Sequence, residues 1–542
     1  MDMESIVLGT IPHLVQMLCQ SVYENGGHKN TEGFTKPAAA FDFSSPFKIP
    51  NQSGRDLLER LDEEFEVIKI ACDYAVRAVE FYTGQMMSKI RAHRNELRPI
   101  YRLPIEILSL VFEFTEGCAK NSLRLLPRRA PLTLSQVSKQ WRELAFNTPR
   151  LWTKIDAMNG RISDVFIARS KRASLNIELA RPPKDPTLPN IVLDCFVWYC
   201  HETFWDFIRP LLPHIHRWES LALEELTYDD AGAYLVHSAP RLERLTMRNF
   251  DGRFGHTLPD TFLGGCTPQL RDLEVCNVKL PLTSPIYTGL RRLHLENNIY
   301  DISTIRHLLV VLAACPLLED LAILNEFFCG LADSNSRKPH TPVFLNHLRR
   351  MDACTEGRTD IHDIISALVV PPSLYLSMSL AYRGLAHGLT LRDALPTSYP
   401  NIALIDTLAL EIHSSTANFH LVGENAGRNQ TLLDIRCDYR TDSNLLTLIE
   451  CPSSFVDLLA LTPSLRLCPL LDTLHLGDVM IESALPLLGS GNLIEAVRSR
   501  SDEGHTFDSR ARLSHLSVSN CAGMSERTAS ELEKYVENFT WD

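Results

Sequence analysis

The chain has no hydrophobic run that reaches the ~18 residues of a membrane span. Its first residues carry Asp2, Glu4 and Pro12, where a secretory leader would be basic. Together these absences lead us to expect a protein kept in the cytosol and/or nucleus, with no membrane partner. Fourteen cysteines are present, but none form a CxxC pair, and without a leader they read as reduced thiols. Catalytic signatures are missing as well. There is no G-x-x-x-x-G-K-S/T phosphate loop, no G-x-G-x-x-G and no H-E-x-x-H; His201-Glu202 is followed by Trp205 where that last motif needs a second His. Gly489-Ser490-Gly491 lacks the spacing of a nucleophile elbow. The densest potential metal set is Cys195, Cys200, His201, His214 and His216. Its spacing fits no common zinc pattern, and the flanking Phe196 to Tyr199 read as core. The sequence therefore points to a protein that is not an enzyme, with no cofactor and no catalytic residue.

What is present is ordinary in bulk and uneven in detail. At 542 residues, 45% hydrophobic and 22% charged, the chain is too long for one compact core, so several folding units or an elongated array are expected. The net charge is -12. Residues 98–150, however, hold nine Lys or Arg against four Glu, a +5 island that leaves -17 for the rest. A basic island in an acidic chain suits an acidic partner. Nucleic acid is the rival partner, but aromatic residues do not interleave with the basic ones and the remaining chain would be repelled by phosphate, so none is expected.

Residues 1–54 mix one short apolar run, Ile11 to Leu18, with Gly, Asn, Pro and Ser, which predicts a mostly disordered tail. Over 55–98 the apolar spacing becomes regular. Leu58, Leu61, Phe65, Ile68, Cys72, Ala75, Val79, Tyr82 and Met86 alternate steps of three and four, the a/d seam of a long heptad helix. Two readings stay open at this stage: a parallel coiled-coil homodimer through Leu58–Met86, or a long amphipathic helix packing on its own chain. Pro99 ends this helix, and Pro104 suits the first turn of the next, where its missing N–H costs nothing. Ile107, Leu108, Val111, Phe112 and Phe114 make that next helix short and very apolar. Leu132, Leu134, Val137, Trp141, Leu144 and Ala145 form the stripe of a second helical stretch, stopped near Thr148-Pro149.

From residue 160 to 542 a different phrase recurs, Lxx(L)x(L), as in Leu242 to Met247, Leu270 to Val275, Leu290 to Leu295, Leu318 to Ile323, Leu471 to Leu476 and Leu513 to Val518. Five weaker copies bring the total to eleven, and their central residues (221, 245, 273, 293, 321, 351, 376, 408, 435, 474 and 516) lie 20 to 42 apart, about 29.5 on average. That period predicts a leucine-rich-repeat solenoid. Each short strand would send alternate residues into a shared core, a covering helix would close the other side, and the array would be stable only as a stack. Ile302 to Ala314, with Ile305, Leu308, Leu309 and Leu312, reads as one covering helix. The irregular stretches Asn325 to Asn346 and His413 to Gln430 read as loops.

The stretch 99–155 resembles an F-box, with its Leu103-Pro104-Ile105-Glu106-Ile107-Leu108 opening, a hydrophobic-x-x-x-Trp-Arg element ending in Trp141-Arg142, and a Thr148-Pro149-Arg150-Leu151-Trp152 close. The layout as a whole is similar to the large F-box family of mushroom-forming fungi, in which a heptad helix leads into a segment such as Pro99-Ile100-Tyr101-Arg102-Leu103-Pro104. This resemblance implies an α/β fold class built from an N-terminal coiled-coil-like helix, a small all-α F-box and a ribonuclease-inhibitor-like leucine-rich-repeat solenoid. It also implies a substrate-recognition adaptor of a Skp-cullin-F-box ubiquitin ligase, with a Skp-type subunit and thereby cullin as partners, and a protein target of unknown identity. Carried over by position, Leu103 and Pro104 start the docking helix and Ile107, Leu108 and Val111 supply its apolar face. Leu134, Val137 and Trp141 make the second contact, and Leu151 and Trp152 the final element. The runner-up is a protein-interaction scaffold that uses the same unit without a ligase.

Overall fold

A computed structural model describes residues 54–118, 121, 126–179, 204–224, 232, 234–249, 257–300, 304–328, 341–355, 360–381, 399–413, 418–438, 468–477, 490–501, 513–521 and 524–542, with the single positions 13, 17 and 20. The predicted tail and three members of the Cys/His set (195, 200 and 201) lie almost wholly outside them. The chain forms two compact units, Met1–Leu110 and Val111–Asp542.

The first unit is dominated by α1 (Gly54–Glu96), 43 residues long. Pro99 opens a single 3-10 turn, Pro99–Arg102, and α2 (Ile105–Gly117) comes next, its first amide bonds closing on the Pro104 carbonyl (3.0 Å to Leu108 N). In the second unit come α3 (Ala130–Val137) and α4 (Lys139–Asn147), separated by Ser138, whose extended backbone breaks the helix and whose hydroxyl caps α4 by accepting from Trp141 N at 3.2 Å. A 3-10 turn at Pro149–Trp152 then leads into β1 (Lys154–Asp156), α5 (Ser163–Ser170) and β2 (Leu175–Leu179).

The strands continue as β3 (Trp218–Glu224), β4 (Arg244–Arg248), β5 (Asp272–Cys276), β6 (Arg292–Glu296), β7 (Ile299–Tyr300), β8 (Asp320–Leu324), β9 (Phe327–Phe328), β10 (Val343–Phe344), β11 (Arg350–Thr355), β12 (Leu368–Val369) and β13 (Tyr375–Ala381). They end with β14 (Thr407–His413), β15 (Asn418–Asn425), β16 (Gln430–Asp438), β17 (Thr473–Gly477), β18 (His515–Ser519) and β19 (Asn538–Trp541). The helices among them are α6 (Phe204–Ile208), α7 (Ile305–Ala313), α8 (Asp360–Ser366), α9 (Ser490–Ser501) and α10 (Glu526–Leu532). Among the described residues, fifteen strands form one open sheet in the order β1-β2-β3-β4-β5-β6-β8-β11-β13-β16-β15-β14-β17-β18-β19, while β7 pairs with β9 and β10 with β12. All described pairings in the large sheet are parallel except the two made by β15.

The register explains the recurring leucine phrase. One row crosses the sheet through Ile177, Leu221, Leu245, Leu273, Leu293, Leu321, Met351, Leu376 and Leu433. It continues through Gly423, Leu408, Leu474, Leu516 and Phe539. A second row, two residues on, runs from Leu179 and Leu223 through Met247, Val275, Leu295 and Ile323, and the two rows are buried from Ile177 to Ile323. Each fully buried aliphatic side chain is worth about 1.5–3 kcal/mol, so the rows are the cohesive element of the sheet. Since period 2 sends the intervening residues to the other face, the strands alternate buried and accessible positions (β2 and β4 are examples).

The structure departs from the sequence-based expectations at three points. All eleven phrase centres fall on strands of the large sheet, but chain order and spatial order part after β13: β16, not β14, lies beside it, and β14 joins β17. The expected loop His413 to Gln430 contains β15, an antiparallel strand wedged between its own neighbours in sequence. Its Asn and Gly content conceals it. Gly423 is glycine because a Cβ there would sit 2.7 Å from Ile405 Cδ1, which fills the gap in the row. Finally, the covering elements are only partly helical. α7 is a full helix with a Thr304/His307 capping box and buried Leu308, Leu309, Val311 and Leu312. In other connections 3-10 turns such as Pro285–Tyr287 and Ile402–Leu404 stand in place of a helix.

Among the described residues, a left-handed asparagine closes four of the strand ends. Asn277, Asn297, Asn325 and Asn520 each follow a strand directly with φ between 52 and 55°, a left-handed conformation that Asn tolerates better than most residues. The turn lets the ladder run one bond further: Asn277 N donates to the Glu296 carbonyl (2.9 Å) and Asn297 N to the Leu324 carbonyl (2.8 Å).

Candidate functional site

Helix α2 is apolar nearly all round, and its two faces have opposite fates. Leu108 and Phe112, four residues apart, are buried. Ile107, Leu110, Val111 and Phe114, at i, i+3, i+4 and i+7, are exposed, Phe114 to 80%. Such spacing puts those four side chains on one stripe of the helix. Leu103 and Ile105 are exposed immediately ahead of it, and Val137 is exposed at the last position of α3. A run of large apolar side chains held in water by a helix that has a buried face of its own is the signature of an interaction surface.

Packing within the second unit fixes the C-terminal half of this helix and the turns and helices after it. The Phe112 and Trp141 rings lie 4.9 Å apart, tilted by 56°. Arg142 Nε donates to the Ser135 carbonyl (2.9 Å), tying α4 back onto α3. Trp152 is fully buried: its Nε1–H donates to the Ala145 carbonyl (2.8 Å), its ring meets Phe166 edge-on at 5.2 Å, and the Arg169 guanidinium lies over Phe146 (3.9 Å) and Trp152 (4.3 Å). Arg129 and Asp156 form a buried ion pair that joins the start of α3 to β1, and Asp156 is held further by Asn159, whose Oδ1 accepts from Asp156 N at 2.8 Å. Asn121 accepts from Ala130 N (2.7 Å) and donates to the Glu116 carboxylate (2.8 Å); burial, opposed by Lys154 and Arg129, raises the Glu116 pKa. The helical segment is thereby bolted to the first strand of the sheet.

These placements sort the residues expected to dock. Leu103, Pro104, Ile107, Val111 and Val137 are exposed, and Leu134 and Trp141 are half-buried. Leu108, Leu151 and Trp152 are instead buried inside the chain, Leu151 and Trp152 completely. In this structure those three offer almost no side-chain surface to a partner. Motif position assigns no role to Leu110 or Phe114, although helical spacing from Ile107 points to both.

The accessible face of the sheet has a different character. Arg244, Asp272, Arg292, Asp320 and Arg350 occupy one row in register across β4, β5, β6, β8 and β11, so neighbouring strands neutralise one another. Arg292 Nε stands 3.2 Å from Asp272 Oδ1. Further along, Asp434 receives His420 Nε2 (3.0 Å), Arg436 Nη2 (3.0 Å) and the Tyr375 hydroxyl (3.2 Å). Burial alone would raise its pKa, but Arg436 and His420 hold the carboxyl below the usual range. Cys72, Cys118, Cys266, Cys276, Cys315, Cys354, Cys468 and Cys521 are free thiols. Among the described residues no group of three His, Cys, Asp or Glu could hold a metal, and no helix is long and apolar enough to cross a membrane.

Comparison with known families matches residues 100–158 to the F-box-like family. The match spans α2 to β1 and contains the exposed stripe. F-box-like units are protein-interaction modules, typically for a Skp-type subunit, and are adaptors rather than catalysts. No curated protein matches the chain.

Proposed function

We propose that this chain is the substrate-recognition adaptor of a Skp-cullin-F-box ubiquitin ligase. The carrying observation is the stripe Ile107, Leu110, Val111 and Phe114, left in water inside the segment that matches the F-box-like family. Leu103 and Pro104 precede it, and Leu134, Val137 and Trp141 supply the second contact. Arg128, Lys139, Arg142 and Arg150 lie in the same basic island, suiting an acidic Skp subunit that in turn carries cullin. The rows of leucines and the left-handed asparagines that end the strands support reading residues 160–542 as a leucine-rich-repeat-like array that holds a protein target. The ligand surface of that array is its accessible strand face, whose charges are arranged row by row.

The test is co-purification of the Skp subunit and cullin with the tagged full-length chain, compared with Leu103→Ala plus Pro104→Ala and with Phe114→Ala. Both variants change exposed residues, so loss of the partners with an unchanged melting curve supports the reading. Absence of both partners from the wild-type preparation overturns it in favour of a scaffold that works without a ligase.

A further inference from the structure

Helix α1 carries a second apolar surface, independent of the docking stripe. Leu58, Phe65, Val79, Tyr82 and Met86 are each more than half exposed, and Leu61 and Ile68 are exposed at 41% and 42%. These seven fall on the a and d positions of one heptad register from Leu58 to Met86. A repeat of 3.5 residues kept over four heptads is matched to a partner helix wound alongside, since a flat protein surface imposes no such period. What covers the seam is therefore a helix of the same kind, and its orientation is set by two charge patterns.

The first lies in the seam itself. Continuing the register places Lys89 at d and His93 at a, both exposed. In a parallel pair of copies Lys89 would face Lys89 and His93 would face His93. In an antiparallel pair, setting Ile68 opposite Val79 of the second copy also sets Leu61 opposite Met86, Phe65 opposite Tyr82 and Cys72 opposite Ala75. Lys89 then meets Leu58 at the open end of the overlap, where its ammonium reaches water, and His93 lies outside it. The second pattern is the helix as a whole. Residues 54–73 hold seven Asp or Glu against three Lys or Arg, and residues 74–96 hold four Lys or Arg against two Glu. Antiparallel pairing lays each acidic half along a basic half, whereas parallel pairing lays like along like.

We infer that α1 is a homodimerisation helix that pairs antiparallel with α1 of a second copy over residues 58–89, a rod of about 48 Å. The acidic and basic halves select this arrangement over the parallel one, and the two copies leave the rod from opposite ends. This does not depend on the ligase reading.

The experiment uses the full chain. Sedimentation equilibrium is expected to give twice the 61.2 kDa of one chain, and the exposed-site variant Phe65→Glu plus Ile68→Glu is expected to give one. Orientation is read in Cys72→Ser plus Ile68→Cys plus Val79→Cys after mild oxidation and peptide mapping. Disulfides joining position 68 of one copy to position 79 of the other support the inference. Bonds joining 68 to 68 and 79 to 79 overturn it, as does a wild-type monomer at tens of micromolar, or a dimer that survives the double Glu substitution.

Discussion

Replacing Trp152 by Ala separates a buried residue that holds the F-box-like segment together from an exposed one of the proposed docking stripe. Trp152 has no exposed surface, an indole N–H bonded at 2.8 Å to the Ala145 carbonyl, and aromatic contacts to Phe166 and Phe146 under the Arg169 guanidinium. Truncation of a buried Trp costs about 3–5 kcal/mol, and the Ala145 carbonyl keeps only its bond from Thr148 N. That energy falls on the α4–β1 junction, where Leu151 N bonds to the Thr148 carbonyl (3.2 Å) and Thr148 N to the Ala145 carbonyl (3.3 Å). Hydrogen exchange by mass spectrometry on peptides covering 139–156 reads it directly. With 1.4 kcal/mol per decade, amides there exchange at least about 100-fold faster in Trp152→Ala. Phe114→Ala, at a site 80% exposed, leaves the same peptides within about threefold of wild type. Unchanged exchange in Trp152→Ala would refute the argument, because it would mean that the indole carries no packing energy.

Three further outcomes rest on tightly packed groups elsewhere. Arg217 is buried and donates to the Ala173 carbonyl (Nε 3.0 Å, Nη2 2.9 Å) and to Ser170 Oγ (2.6 Å), clasping the turn where Lys171 takes a φ of 53°; Arg217→Leu should cost roughly 2–3 kcal/mol in urea unfolding. Glu326 is buried beside Asn298, whose Nδ2 lies 3.0 Å from its carboxylate, and burial pushes its pKa up to about 8 from the ordinary 4.5. The folded chain thus holds a proton that the unfolded chain releases. Stability is full below pH 4.5 and falls as pH rises through about 8, so a melting series from pH 5 to 9 should decline, and Glu326→Gln should flatten it. Gly423→Val places a side chain 2.7 Å from Ile405 Cδ1 and is expected to cost about 1–3 kcal/mol, measured by thermal melting.

How far the sequence reveals the molecule differs by region, for physical reasons. The strands are legible because period 2 leaves buried leucines at fixed offsets, and all eleven phrases are strands. Neighbour relations are legible only where strands join in chain order. Nothing local in Leu408 or Ile435 says that β14 and β16 exchange places around β15, since that choice is made by pairing across the sheet. In the F-box-like segment, the motif marks helix α2 but not which of its faces is buried. Leu108 and Ile107 are adjacent aliphatics, one buried and one exposed, and only the helical turn between them decides which is which. Leu151 and Trp152 are hidden inside the chain, and the partners that cover Trp152, Phe166 and Arg169, lie beyond the motif that names it.

The central claim is that the exposed stripe of α2 docks a Skp-type subunit. Isothermal titration of the purified chain with that subunit tests it most directly, comparing wild type with Val111→Ala plus Phe114→Ala. Truncating anchor side chains at an interface costs about 2 kcal/mol or more, so saturable binding by the wild type and at least about 30-fold weaker binding by the variant are expected, with equal melting temperatures. Equal affinity of the two proteins, or no binding by either, would contradict it.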